Sequence, residues 1–294
     1  MASKASVSPG LGFSQSPLLP IVGILAAVVS IQYGATIAKS LFPIAGAEGT
    51  TALRLTLCAI LLTSIVRPWR AKITRQSWPP ILLYGAALGG MNLLFYMALR
   101  TLPLGITVAL EFLGPLAVAM VGARRPIDFL WIGLAVTGLL LLLPVGTSVH
   151  ALDPIGVALA LGAGGCWALY IIFGKKAALD HGVTTVALGT MIAAAVVLPF
   201  GIAEAGTAMF SPSILPAALA VAVLSSALPY TLELAALRRL RSHTFGTLMS
   251  LEPAVGALVG FAVLGENLPF IQWLAIAFIV LASAGTAVAA KSGA

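Results

Sequence analysis

The chain has 294 residues, of which 60% are hydrophobic and 9% charged, and it carries a net charge of +7; its mean hydropathy is +1.07. Soluble domains average about 45–50% apolar and about 25% charged residues, so too few charges are present here to clothe a water-facing surface. These numbers exclude a disordered chain, a disulfide scaffold and a nucleic-acid-binding module, and they describe an integral membrane protein.

Residues 1–17 are small and polar, with Lys4 and five serines, and read as a cytoplasmic N-terminal tail. The apolar run that follows has no evident cleavage site and reads as a retained first helix. Apolar runs between polar breaks predict five spans in the first half: Leu18–Lys39, Thr50–Val66, Pro80–Leu99, Leu104–Gly122 and Ile127–Val145. Five more follow: Pro154–Gly174, Thr184–Glu204, Ile214–Leu237, Phe245–Leu264 and Phe270–Ala290. Each is near the length of about 20 residues that crosses hydrocarbon as a helix. The runs are continuously apolar rather than alternating, which excludes a membrane β-barrel. The expected fold is therefore all-α, with ten transmembrane helices. Cys58 and Cys166 lie within spans and read as small buried hydrophobes, not as a disulfide or a metal pair.

Positive charge sets the orientation. With the N-terminus in the cytoplasm, thirteen of the sixteen basic residues fall on the inner side, including Arg67, Arg70, Lys72, Arg75, Arg124, Arg125, Lys175, Lys176, Arg238, Arg239 and Arg241. Lys39 and Arg100 fall at outer helix ends, and Arg54 falls inside a span. Both termini are then cytoplasmic, and the net charge is a topology signal.

The chain also repeats itself. Ala98-Leu99-Arg100-Thr101-Leu102 recurs as Ala236-Leu237-Arg238-Arg239-Leu240, and Gly105–Glu111 is echoed by Gly246–Glu252. The offset grows from 138 to 141 residues, as a three-residue loop insertion requires. Residues 18–145 and 154–290 thus form two five-helix repeats. An odd number of spans per repeat inverts the second half relative to the first, an architecture that supports alternating access.

Ionisable groups inside the spans are the sharpest functional signal. Glu111, Glu233, Glu252 and Arg54 each carry an insertion cost of about 2.5–3.5 kcal/mol, so they must be paired, protonated or turned to an aqueous cavity. Glu111 and Glu252 occupy equivalent repeat positions, each about 10–12 Å along its helix, near the midplane where carrier sites lie. Thr107, Glu111, Gly114 and Pro115 share one helix face; Glu252, Gly256 and Gly260 share another. Small residues at this spacing mark close helix contact, so both acids are expected to face the bundle. Pro115 and Pro253 free the carbonyls of Glu111 and Met249. Both acids are candidates for proton and substrate coupling, the alternative being that they merely tie helices together.

Other polar side chains are candidate cavity residues. Asn92 and Tyr96 share a face with Gly85 and Gly89; Tyr230 and Glu233 share one with Ser226, beyond a kink expected at Pro229. Gln32, Tyr33, Trp167 and Tyr170 complete the set. For Tyr96 and Trp167 packing is an equal alternative. Glu233 either lines the cavity or pairs with Arg238 as an inner gate. Arg54 either offsets a glutamate or holds a substrate carboxylate with two parallel hydrogen bonds. His150, His181 and His243 are expected in loops, and no hydrolase, zinc or nucleotide motif is present. No cofactor or metal is expected, and uphill transport would draw on an ion gradient or exchange.

With these residues in view, the chain resembles the drug/metabolite transporter superfamily, EamA type. The stretches that carry the resemblance include Thr51-Ala52-Leu53-Arg54-Leu55, Gly89-Gly90-Met91-Asn92, Val108-Ala109-Leu110-Glu111-Phe112, Ala227-Leu228-Pro229-Tyr230 and Phe245–Ala254, which contains Leu251-Glu252-Pro253. It extends from about Leu18 to Ala290, and it departs from a strict Glu-Pro site at Glu111, which is followed by Phe112. The resemblance implies an exporter of small amino acids, threonine and homoserine among them, in a bacterial inner membrane, working by proton antiport. A broader metabolite or drug exporter is the nearest alternative. A membrane enzyme with the two glutamates as an acid–base pair is a remote one.

Overall fold

The computed structural model describes residues 18–98, 100–102, 104–142, 153–264 and 270–292, and among these the chain is helical throughout its regular structure, with no strand. The helices of the first half are α1 (Leu18–Lys39), α2 (Phe42–Val66), α3 (Trp78–Ala98), α4 (Leu104–Gly122) and α5 (Pro126–Leu142). The second half comprises α6 (Pro154–His181), α7 (Val183–Ala205), α8 (Leu215–Ala222), α9 (Leu228–Arg239), α10 (Ser242–Met249), α11 (Leu251–Leu264) and α12 (Phe270–Ser292). Among the described residues, five segments are long and apolar enough to cross a membrane: α2, α3, α6, Val183–Met209 and Leu215–Arg239, the last joining α8 to α9. Shorter apolar stretches occur in α1, α4, α5 and α12. The chain is a multi-pass membrane protein, and large apolar side chains such as Ile65, Val121, Ile155 and Leu281 are exposed on its outer surface.

Local chemistry explains where the helices differ from the sequence reading. α2 starts at Phe42, not Thr50, because Gly46 adopts φ 65° and lets two helical pieces join across a kink. That conformation is open to glycine and strained for other residues. α6 runs to His181, so Lys175 and Lys176 lie on a helix rather than in a loop, and Gly182 at φ 55° turns the chain directly into α7. His181 and His243 are helical, contrary to expectation; His150 lies outside the described residues. The kink expected at Pro229 takes the form of a π-helical turn at Val223–Ala227, just before it. The ninth predicted span breaks at Ser250 into α10 and α11, three residues ahead of Pro253. At the start of α6, the Asp153 carboxylate accepts from the backbone N–H groups of Ile155 and Gly156. The Thr101 hydroxyl and these N–H groups hold that carboxyl below the usual range.

Packing interleaves the two halves. α2 lies along α7, α5 along α12, α3 against α6 and α7, α1 against α9 and α8, and α4 against α6 and α10. Glycines permit the closest approaches. A Cβ at Gly114 would run into the carbonyl oxygen of Gly164, and one at Gly189 into the Tyr84 ring. The pairs α2/α7 and α5/α12 are antiparallel, since Gly49 meets Ala205 while Ala52 meets Gly201, and Gly138 meets Ile279 while Trp131 meets Gly285.

Candidate functional site

Arg54 is the centre of the polar interior. It is 7% exposed on α2, and its Nη2 donates to Oδ1 of Asn92 on α3. The guanidinium carbon lies 5.7 Å from the ring centre of Tyr96, one turn further along α3, within cation–π range. Its Nε–H has no hydrogen-bond partner, and among the described residues no carboxylate forms an ion pair with it. Asn92 is itself locked in place: Nδ2 donates to the carbonyl of Leu88 at 2.8 Å and to the Tyr230 hydroxyl at 3.4 Å. A buried cation with a free donor is costly unless an acceptor reaches it.

A second polar group adjoins it. The Tyr170 hydroxyl donates to Oε2 of Glu233 at 2.8 Å. The Tyr170 ring stands between those of Tyr84 and Tyr230, with centroids at 5.1 and 6.4 Å. α2, α3, α6 and α9 thus converge on one cluster, from Arg54 through Asn92 and Tyr230 to Tyr170 and Glu233.

Glu111 and Glu252 are half-buried on α4 and α11. The charges of Glu252 and Arg54 both reach Glu111, and that of Glu252 also reaches Glu233, so the four intramembrane charges share one electrostatic neighbourhood. Neither Glu111 nor Glu252 makes an ion pair among the described residues. The Glu111 backbone lies against Gly164, where a Cβ would approach its carbonyl oxygen to 2.6 Å. Gln32 of α1 donates from Nε2 to the Glu252 carbonyl at 3.4 Å, and its amide rests on Gly256. The Ser250 hydroxyl donates to the carbonyl of Thr247 at 2.6 Å, filling part of the hydrogen bonding that the break before α11 opens.

Arg54, Asn92, Tyr96, Tyr170, Tyr230 and Glu233 therefore come together, with Gln32 at the glutamate side. Tyr33 does not join them. Its ring is 51% exposed in an open apolar groove lined by Val22, Leu25, Val29 and Leu224. Its neighbour Gln32 takes the inward direction because successive helix residues point about 100° apart. Trp167 is buried edge-on against Phe112, centroids 6.0 Å apart, in a packing role. Tyr96 packs against Phe42 as well as covering Arg54. The gate pair of Glu233 with Arg238 is not formed: Glu233 is turned inward to Tyr170, while Arg238 is exposed with its guanidinium over Gly182.

Three features escaped the sequence reading. Tyr84 falls on the Asn92 face at two turns' spacing, a signal that was present. The buried Ser226 hydroxyl has no partner, which no sequence pattern reveals. Arg100 bridges Glu48 of α2 and Glu204 of α7, the second pair at 2.8 Å; the Glu204 carboxylate also accepts the Glu48 N–H at 2.8 Å. Reading Glu48 as loop hid this triad, because only the Gly46 kink brings it onto a helix.

Residues 154–288 match the model of the EamA-like transporter family. The threonine/homoserine exporter RhtA of Escherichia coli is 54% identical over 268 residues, which is 91% of this chain and 91% of that protein. The exporter of the same name from Salmonella typhimurium is 55% identical over the same shares. A solved structure titled "Crystal structure of protein" superposes with a TM-score of 0.72 at 17% identity, covering 93% of this chain and 98% of that one, and it shares the fold. The chain belongs to the EamA-like transporter family.

Proposed function

We propose that this chain exports threonine, homoserine and similar small amino acids across a bacterial inner membrane by alternating access, in exchange for protons. The single observation that carries the reading is Arg54: a buried cation that, among the described residues, has an unpartnered Nε–H and no carboxylate paired with it, within electrostatic reach of Glu111. A zwitterion complements that arrangement. Its carboxylate takes the free edge of the Arg54 guanidinium, and its ammonium takes Glu111 or Glu252. A proton and the ammonium then compete for the same carboxylate, so the carrier returns loaded with one or the other, and transport is coupled. The identity to exporters named for threonine and homoserine supports the substrate class.

Alternating access follows from ten spans arranged as two inverted five-helix repeats, residues 18–145 and 154–290, with both termini inside. The packing supports this reading, since exchanging the halves maps α3/α6 onto α1/α9 and α3/α7 onto α2/α8. The self-equivalent pairs α2/α7 and α5/α12 run antiparallel, as inversion requires.

Reconstituted liposomes test the reading. Counterflow of labelled threonine and homoserine is expected, together with proton movement against the amino acid. Coupling should be lost in Glu111→Gln or Glu252→Gln, or in both. Export of cationic dyes without amino-acid counterflow overturns the substrate assignment, and unchanged proton coupling in both variants overturns the mechanism.

A further inference from the structure

Ser226 is fully buried, and its hydroxyl has no hydrogen-bond partner among the described residues. Its neighbour Ser225 is used otherwise: the Ser225 hydroxyl donates to the carbonyl of Val221, and its Cβ stands against Gly34 of α1. One residue further round the π turn at Val223–Ala227, Ser226 is rotated by roughly a quarter turn from Ser225, four residues ahead of Tyr230. A π turn inserted into a helix redirects side chains and recurs at functional sites. Here α1 helps to hold it, through the Ser30 hydroxyl donating to the Leu224 carbonyl at 2.6 Å.

The depth of Ser226 follows from helix direction. α3 runs parallel to α7, because Gly85 meets Ile192 and Gly89 meets Val196. α9 runs antiparallel to α7, because Arg238 at its end lies over Gly182 at the start of α7. α3 and α9 therefore oppose one another, and Asn92 meets Tyr230 across them. One turn from that point, about 5.4 Å, α3 reaches Tyr96 and the Leu215–Arg239 segment reaches Ser226. The Arg54 guanidinium bridges Asn92 and Tyr96, so Ser226 lies about level with it, on a turn that packs against α2, the helix that carries Arg54.

Resting on the amino-acid reading above, we infer that Ser226 is a specificity-determining residue that hydrogen-bonds the side-chain hydroxyl of the transported amino acid. With the carboxylate on Arg54, a hydroxyl on the β- or γ-carbon of a small amino acid comes within reach of the neighbouring Val223–Ala227 turn, where the Ser226 hydroxyl has no partner among the described residues. An aliphatic side chain there leaves Ser226 buried and unsatisfied, and polar sites built this way discriminate against analogues that lack the partner group.

Threonine and homoserine are both hydroxylated forms of 2-aminobutyrate, so a single reference compound isolates the hydroxyl. The experiment measures threonine, homoserine and 2-aminobutyrate counterflow in liposomes for the unaltered protein, Ser226→Ala and Ser226→Thr. The unaltered protein is expected to prefer both hydroxylated substrates. That ratio should fall roughly five-fold in Ser226→Ala and be kept in Ser226→Thr, and it is independent of how much protein inserts. An unchanged ratio in Ser226→Ala, an equal fall in both variants, or no preference in the unaltered protein overturns the inference while leaving the amino-acid carrier intact. Transport of none of the three amino acids by the unaltered protein overturns the carrier reading itself.

Discussion

Replacing Arg54 with glutamine separates a binding role from a structural one. The guanidinium is buried, donates to Asn92 and leaves Nε–H free, with no counter-ion among the described residues. Burying an unpaired charge is unfavourable, so Arg54→Gln removes a destabilising element. Thermal stability in detergent should hold or rise. Substrate affinity should move the other way: a hydrogen bond to a charged group contributes about 1.5–3 kcal/mol, and at about 1.4 kcal/mol per decade its loss weakens amino-acid binding roughly 10- to 150-fold. Concentration-dependent counterflow gives KM, and melting of the purified protein gives stability. Arg54→Lys keeps the charge but loses the fork, and should recover part of the affinity. An Arg54→Gln protein that melts earlier yet keeps its KM would refute the argument, because Arg54 would then serve only to brace Asn92.

The triad at Glu48, Arg100 and Glu204 should behave as a mutually dependent unit. Arg100→Gln leaves two carboxylates in contact and is expected to lower the melting temperature, more at low salt than at high salt, and adding Glu204→Gln should restore it. Equal, additive losses would show that the three charges act separately. The Asp153 cap gives a pH signature. Its carboxyl is held below the usual range by Thr101 and the α6 N-terminus, so its stabilisation is present above the unfolded pKa of about 3.9 and is lost as pH falls through the lower folded value. The melting difference between the unaltered protein and Asp153→Ala should therefore be present at neutral pH and vanish in acid; a constant difference would discount the charged cap.

The amino-acid sequence alone determined the membrane class, the approximate limits of most helices and most members of the polar cluster. Hydrophobicity and charge are local properties, and a charge inside an apolar run is visible wherever the chain later takes it. Arg54, Asn92, Tyr170, Tyr230 and Glu233 could be chosen for that reason. Which of them pair was decided by tertiary structure. The Arg54 side chain had two defensible partners on paper; the crossing of α2 with α3 put Asn92 in reach and kept the glutamates beyond ion-pair distance. Glu233 had Arg238 little more than one turn away, yet α6 supplied Tyr170 from the inside. Tyr33 and Gln32 are adjacent in sequence and face different surroundings. The Gly46 kink and the π turn at Val223–Ala227 depend on neighbours from other helices, and with them came the triad of Glu48, Arg100 and Glu204 and the depth of Ser226. Composition reports what must leave water, whereas a hydrogen bond needs two atoms within about 3 Å, and only the packing of remote segments brings them there.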